Sequence, residues 1–509
     1  VWSVNVPLVN GAWVRLLTEL IGPNDIQPES LAALFYCRAY FNMGTVGQIL
    51  EMLGLPRETL ELVVGIEAEG PERPSFKPSR KTYSLLPRML VSALGKLRFA
   101  NKLDRCLPEK EEQFRAFSPP VAADLDEAEL LKSIDELFKI AQEMVYCNIV
   151  TPLLMYLYNR MLMGQLERAG RVNGSLDVTA GMEELERFEP GVHLTRLNEH
   201  YNELEPRLQD RIAECSYDEF CLLPGIASFQ REVRQFIDQF GHLSDSGNDF
   251  SAVPWRDNQD LVLKMIVDFS PAQRGSGLKQ GYDQLRLPLL RRVLIGPVYR
   301  RARRFRWYRE AVSSLYTFGY GLFRDHFLAL GDHFARRGAI ASREDIYYLT
   351  LDEVREIAEA GPVGPGYQTT IEDRKCEIEA VRDVQLPDII YGDQEPAVQA
   401  PDGDSLKGIP TSRGQYTGRA KVLQGIEDFT KLEAGDVLII PFSDVGWTPL
   451  FARAGAVVAE AGGILSHSSI VAREYDIPAV VSVSGACRIA DGTLVTVDGH
   501  RGEIILHQP

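Results

Sequence analysis

One histidine in this sequence stands where phosphate chemistry is easiest. In Glu460-Ala-Gly-Gly-Ile-Leu-Ser-His-Ser-Ser-Ile-Val-Ala-Arg-Glu474, an apolar run ends in Gly462-Gly463, and a helix is predicted to begin near Ser466 or Ser468. His467 then lies at a helix N-terminus, where unpaired N–H groups and the dipole favour a bound phosphate. A neutral imidazole there is a nucleophile whose phosphorylated form the same N–H groups stabilise. The glycines allow positive φ and close backbone approach. Ser466 and Ser468 bring hydroxyls that cap the helix or bind phosphoryl oxygens. Gly462, Gly463, Ser466, Ser468 and Arg473 are therefore assigned to phosphate binding. A lone histidine of this kind is more often a loop residue capping a helix, so the whole segment has to decide.

The elements that hold this segment are short. From Leu406, β runs at 419–423, 437–441, 456–459, 479–483, 494–497 and 503–506 alternate with helical pieces at 448–454 and 468–475, which is the pattern of a compact α/β domain. Upstream, from about 10 to about 360, the pattern is helical. Leu130, Ile134, Leu137, Ala141 and Met144 are spaced at threes and fours, with Asp124 and Asp126 available as caps. Further helices are expected over 197–215, 225–240 and 293–336. The last begins with a run of arginines from Arg291 to Arg309, either a solvated face or an anion-binding wall. The fold expected is multidomain: a large, mostly α-helical domain over 1–383, a flexible linker over 384–405, and a small α/β domain over 406–509. The linker is rich in Pro and Gly and, extended, spans up to roughly 60 Å.

The segment around His467 closely resembles the "GGxxSHxAIVARExGIPAVV" signature of the mobile domain of phosphoenolpyruvate-utilising enzymes, the dikinase family. Asp444-Val-Gly-Trp-Thr-Pro-Leu-Phe451 is similar to the "DPGWTPLF" of its rifampicin and phenylphosphate branch. In that family the matching histidine is the phosphocarrier, so the resemblance gives His467 that role. Two residues depart from the pattern: Ala459, where Thr is frequent, and Ser469, where Ala is usual.

Upstream the resemblance is looser. Val1-Trp-Ser-Val-Asn-Val6 is similar to "WSNANVGE". Phe240-Gly-His-Leu-Ser-Asp-Ser-Gly-Asn-Asp-Phe250 with Pro254-Trp-Arg256 resembles "GHRGPxE-D-xxPRWxE", with Leu243 and a Gly-Asn-Asp tract replacing its Arg and Glu. Arg309-Glu310 and Asp345-Ile-Tyr-Tyr-Leu349 resemble "RE" and "EDVFFL". These matches make His242 the candidate base for an acceptor hydroxyl and Arg309 the candidate cation beside the phosphoryl group, with Arg256 second. Asp245 and Asp249 are candidates for orienting the base or binding Mg²⁺.

Composition bounds the rest. Net charge is −16 (55 basic, 71 acidic), which disfavours a broad nucleic-acid surface. Cysteines 37, 106, 147, 215, 221, 376 and 487 form no CxxC pair and read as reduced thiols of a cytoplasmic protein. The apolar stretch Met144–Met163 is interrupted by Asn148, Thr151, Pro152, Asn159 and Arg160, and reads as a buried helix pair rather than a membrane span. The chain opens on Val1 rather than Met, so further sequence upstream is expected. No ATP-grasp pattern and no C-terminal (β/α)₈ barrel is found. The resemblance then implies an acceptor-binding and phosphocarrier component of an ATP-dependent dikinase-type phosphotransferase. Its Mg²⁺-ATP would be handled by an ATP-grasp partner subunit or domain, and its acceptor would be a small aromatic hydroxyl compound. Two alternatives stay open: a rifampicin-type antibiotic phosphotransferase, and a non-catalytic phosphohistidine carrier that regulates a partner.

Overall fold

The computed structural model describes residues 1–22, 31–35, 38–41, 45, 80–117, 125–169, 178–269, 281–282, 288–360, 366–381, 405–463 and 466–507. Asp124, Cys37 and nearly all of the expected linker lie outside them.

Two long helices organise the N-terminal part. Among the described residues the first twelve helices are α1 (Trp2–Ile21), α2 (Arg80–Leu97), α3 (Phe99–Arg115), α4 (Glu127–Arg168), α5 (Pro190–Glu203), α6 (Pro206–Glu214), α7 (Tyr217–Leu222), α8 (Ala227–Phe240), α9 (Gln259–Asp268), α10 (Leu289–Arg336), α11 (Leu351–Ala360) and α12 (Gln368–Val381). A β1–β2 hairpin (Ala32–Phe35, Arg38–Phe41) pairs antiparallel and was not expected from the helical texture. Asp126 caps α4 with a full capping box, its carboxylate accepting from Glu129 N–H at 2.8 Å.

The apolar stretch 144–163 is part of this single 42-residue helix, not a helix pair. Pro152 sits inside it without ending it. One face, including Met144, Val150, Tyr158 and Leu162, is buried against α10, while Leu153, Tyr156, Leu157 and Met161 on the other are exposed. Long antiparallel packing on a 48-residue partner outweighs one lost backbone bond. No helix among the described residues is long and apolar enough to cross a membrane.

The C-terminal domain carries one sheet of eight strands in the order β3-β10-β9-β5-β6-β7-β8-β4. These are β3 (Ser405–Lys407), β4 (Ile409–Ser412), β5 (Gln415–Val422), β6 (Val437–Ile440), β7 (Ala456–Ala459), β8 (Ala479–Val481), β9 (Leu494–Asp498) and β10 (Glu503–Leu506). β5, β6, β7 and β8 run parallel, and the flanking strands pair antiparallel. The crossover between β7 and β8 is α14 (His467–Tyr475); the one between β6 and β7 holds α13 (Thr448–Phe451). The α/β domain after a large helical region is thus the architecture expected.

The helical region holds two cores. One joins α1, α3, α4 and α10. The other is built from α5 to α9 and continues into the α/β domain through Trp447, Leu450, Phe451, Val471 and Tyr475. The α/β domain is therefore seen docked, with its α13 and α14 side turned to the helices.

Candidate functional site

His467 is the first residue of α14, and Ser466 is its cap, accepting from Ser469 N–H at 3.4 Å. Gly462 has φ of 144°, the open conformation that glycine supplies, while Gly463 lies outside that region. Ser466 Oγ lies 3.0 Å from Ser468 Oγ and 2.9 Å from Ser469 Oγ. The Ser469 hydroxyl donates to the Gly463 carbonyl at 2.7 Å and so ties the helix to the turn before it. An alanine there would lack that tie.

The imidazole is held by a residue that motif reading did not single out. Thr448 donates to the Val445 carbonyl at 2.7 Å, so its oxygen accepts from His467 Nε2–H at 2.9 Å. His467 Nδ1 is buried with no hydrogen-bond partner among the described residues. Burial, then the Arg309 guanidinium, with Arg306 adding to it, lowers the His467 pKa to about 3 against the pull of Glu310. The ring is neutral over the physiological range, as a nucleophile requires.

Arg306 and Arg309 come from α10 and are both buried. Each is paired with Glu310, and Arg306 also grips Glu474 of α14, a salt bridge across the two domains. Burial works to raise the Glu310 pKa, but Arg309 and Arg306 hold it at about 2. The arginine run therefore divides. Arg301, Arg303 and Arg304 tie to Leu97, Ala180 and Asp104, while Arg306 and Arg309, paired with Glu310, lie within electrostatic range of His467. Arg473 donates to the Thr411 carbonyl at 3.4 Å and lies within electrostatic range of both.

A second set of bonds fixes the docking. Gly247 N–H donates to Asp444 at 2.9 Å, Ile426 N–H to Asp245 at 3.1 Å, and the Trp447 indole to the Asp245 carbonyl at 2.9 Å. Gly446 lies against Ser244 so closely that a Cβ would fall 2.3 Å from its carbonyl oxygen. Gly446→Ala is thus expected to undock the domains without unfolding either. Fluorescence transfer between the two domains should fall in this variant; an unchanged transfer efficiency would count against this docking.

His242 lies elsewhere along α10. Its ring stacks edge-on against Phe318, with 5.6 Å between centroids. Phe318 is nine residues from Arg309, about 13 Å along a helix axis. Burial, then Arg256, lowers the His242 pKa to about 4, and its Nε2 is buried without a partner among the described residues. Arg256 is engaged by Asp325 at 2.7 and 2.9 Å rather than by the groups around His467. Asp249 accepts from Ser251 N–H and Oγ, and Asp245 holds the interface just described. No group of three or more His, Cys, Asp or Glu fit to hold a metal occurs among the described residues.

The family comparison decides what the His467 element is. Residues 432–502 match the mobile domain of PEP-utilising enzymes. The chain carries a PEP-utilising enzyme mobile domain. A rifampicin phosphotransferase of Streptomyces sviceus is similar, 29% identical over 312 residues, covering 56% of this chain and 35% of that protein. One from Bacillus subtilis is 29% identical over the same length, covering 56% and 36%. Chondramide synthase of Chondromyces crocatus is 34% identical over 205 residues, 35% of this chain and 5% of that protein. The chain spans about a third of the length of the rifampicin phosphotransferases it matches. In the docked domain a buried, neutral His467 lies within electrostatic range of two arginines.

The docking should depend on pH. The folded His467 refuses a proton that the undocked ring takes near its ordinary pKa of about 6.5. Docked stability is then full above that value and falls as pH drops toward about 3. Asp444, which burial pushes up, works with the opposite sign. Comparing interdomain distance by fluorescence transfer in the parent and in His467→Asn isolates the histidine: only the parent should show the extra acid-induced opening.

Proposed function

We propose that this chain is the acceptor-binding and phosphocarrier part of an ATP-dependent dikinase-type phosphotransferase. An ATP-grasp partner subunit or domain, working with Mg²⁺, transfers the β-phosphoryl of ATP to His467 and releases AMP and phosphate. The mobile domain then docks on the helices, and the phosphoryl passes to a hydroxyl of a small aromatic acceptor. Dividing the transfer in two lets each half proceed in a site suited to it.

The observation that carries this reading is a buried, neutral His467 within electrostatic range of Arg306 and Arg309 of α10, the helix that also lines an open groove. Trp307, Ala311, Ser314, Leu315 and Phe318 form one wall of that groove, Leu103 and Leu107 of α3 the other, and His242 lies at its Phe318 end. Aromatic and aliphatic walls suit an aromatic guest. That His242 Nε2 has no partner among the described residues supports reading it as the group that takes the acceptor's proton.

Without a positioned base, transfer typically slows ~10²–10⁴-fold. His242→Ala should therefore slow discharge to a phenol, and a phenol of lower pKa should partly restore it, with AMP and phosphorylated product formed in equal amounts. Discharge at the parent rate would remove His242 from the mechanism. The names of the relatives favour a second reading in which rifampicin is the acceptor; running it beside simple phenols separates the two. Phosphoprotein with no small-molecule product would mark a regulatory carrier instead.

A further inference from the structure

At the seam between α10 and α14, four side chains form one continuous run of ion pairs. Glu310 receives both Arg306 and Arg309 through a single carboxylate oxygen, and Arg306 reaches on to Glu474 with its second terminal nitrogen. Glu474 follows His467 by seven residues, two helical turns, so both side chains leave the same face of α14. Arg473 and Asp444 add one charge of each sign within range of Arg309. Around a neutral His467 these cations and carboxylates balance, three against three.

We propose that Glu474 is a stand-in for the phosphoryl group: it holds Arg306 while His467 is unphosphorylated and yields that arginine once His467 is phosphorylated. A phosphoryl group brings roughly two negative charges at neutral pH. They unbalance the cluster, and an uncompensated buried charge is costly. One carboxylate must give way. The Glu310 side chain is 14% exposed and holds two arginines of its own helix, whereas Glu474 is 27% exposed and sits on the mobile domain. Glu474 is therefore the one that turns out to water. Arg306 then offers its freed N–H groups to the phosphoryl oxygens, which its planar fork fits. The domain stays docked in both states, on different contacts. Glu474 acts through Arg306 and touches no reacting atom, so it is a positioning residue. The proposal rests on His467 as phosphocarrier, not on which acceptor follows.

The test uses the whole chain with one fluorophore on each domain and reads docking as transfer efficiency. Potassium phosphoramidate phosphorylates histidine directly: its P–N bond breaks and ammonia leaves as the bond to the ring forms. Neither ATP nor a partner is needed, and His467→Asn treated alongside shows which phosphoryl sits on His467. Without phosphoryl, Glu474→Gln should transfer less than the parent and Glu474→Lys less still, with unchanged circular dichroism. After phosphorylation the parent and both variants should transfer alike, because the phosphoryl group now holds Arg306. Three results would overturn the proposal. One is parent-like docking of both unphosphorylated variants. Another is a deficit that persists at the same size after phosphorylation, the mark of a purely structural contact. The third is undocking of the parent when it is phosphorylated. Labelling that does not require His467 would strike the carrier reading instead, and the unphosphorylated comparison would still decide whether Glu474 holds the dock.

Discussion

His467→Ala is expected to end phosphoryl traffic through the chain. With an ATP-grasp partner and β-labelled ATP, the parent should take up label through an acid-labile, base-stable bond, and the variant should take up none. The argument is positional. His467 is the first residue of α14, its turn is tied by Ser469 to Gly463, and its ring is neutral because burial and Arg309 keep a proton off it. Ser466 and Ser468 are near enough to be rival carriers, but their hydroxyls bond to each other and no base activates them. Label retained in His467→Ala would move the carrier role to another residue and remove the basis of the relay.

Arg309→Ala should have the next largest effect, and only on one half of the cycle. The transferring phosphoryl carries negative charge into a partly buried site, where a fixed cation counts for more than in water. Losing one such group typically costs ~10²–10³-fold in rate. Discharge of phosphohistidine to the acceptor should slow by about that factor, while charging, which the proposed relay puts away from α10, should keep its rate. Arg309→Lys should recover only part of the loss, because an ammonium lacks the planar fork that meets two oxygens at once. Equal slowing of charging and discharge would mean that Arg309 maintains the fold rather than stabilising the phosphoryl group.

Much of this site was legible in the sequence, for local reasons. The glycine turn, the Ser466 cap and the helix start are all written within eight residues, and the structure starts α14 at His467. β7 and β10 match their apolar runs residue for residue. β3 and β4, three and four residues long, were missed because short edge strands holding a Lys or a Pro show no alternation. The helix expected over 197–215 breaks at Leu204-Glu205, since Pro206 pushes the residue before it out of the helical region. Thr448, Arg306 and Glu474 were each in view, inside a motif or a charge run, but their roles come from contacts some 20 to 170 residues away in sequence. The same holds for Asp245, read as a ligand or orienting group and found at the domain interface, nearly 200 residues from Ile426 and Trp447. Spacing reports what shares a helix face; it does not report which distant surface that face meets.

The most direct test of the relay is a chase. The chain is charged at His467 with labelled phosphoryl, freed of ATP and partner, and mixed with a phenolic acceptor in a rapid-quench apparatus. The account predicts that label leaves the protein and appears on the acceptor in equal amount, in one phase that Arg309→Ala slows. Label that stays on the protein, or leaves only as inorganic phosphate at a rate indifferent to the acceptor, would contradict it.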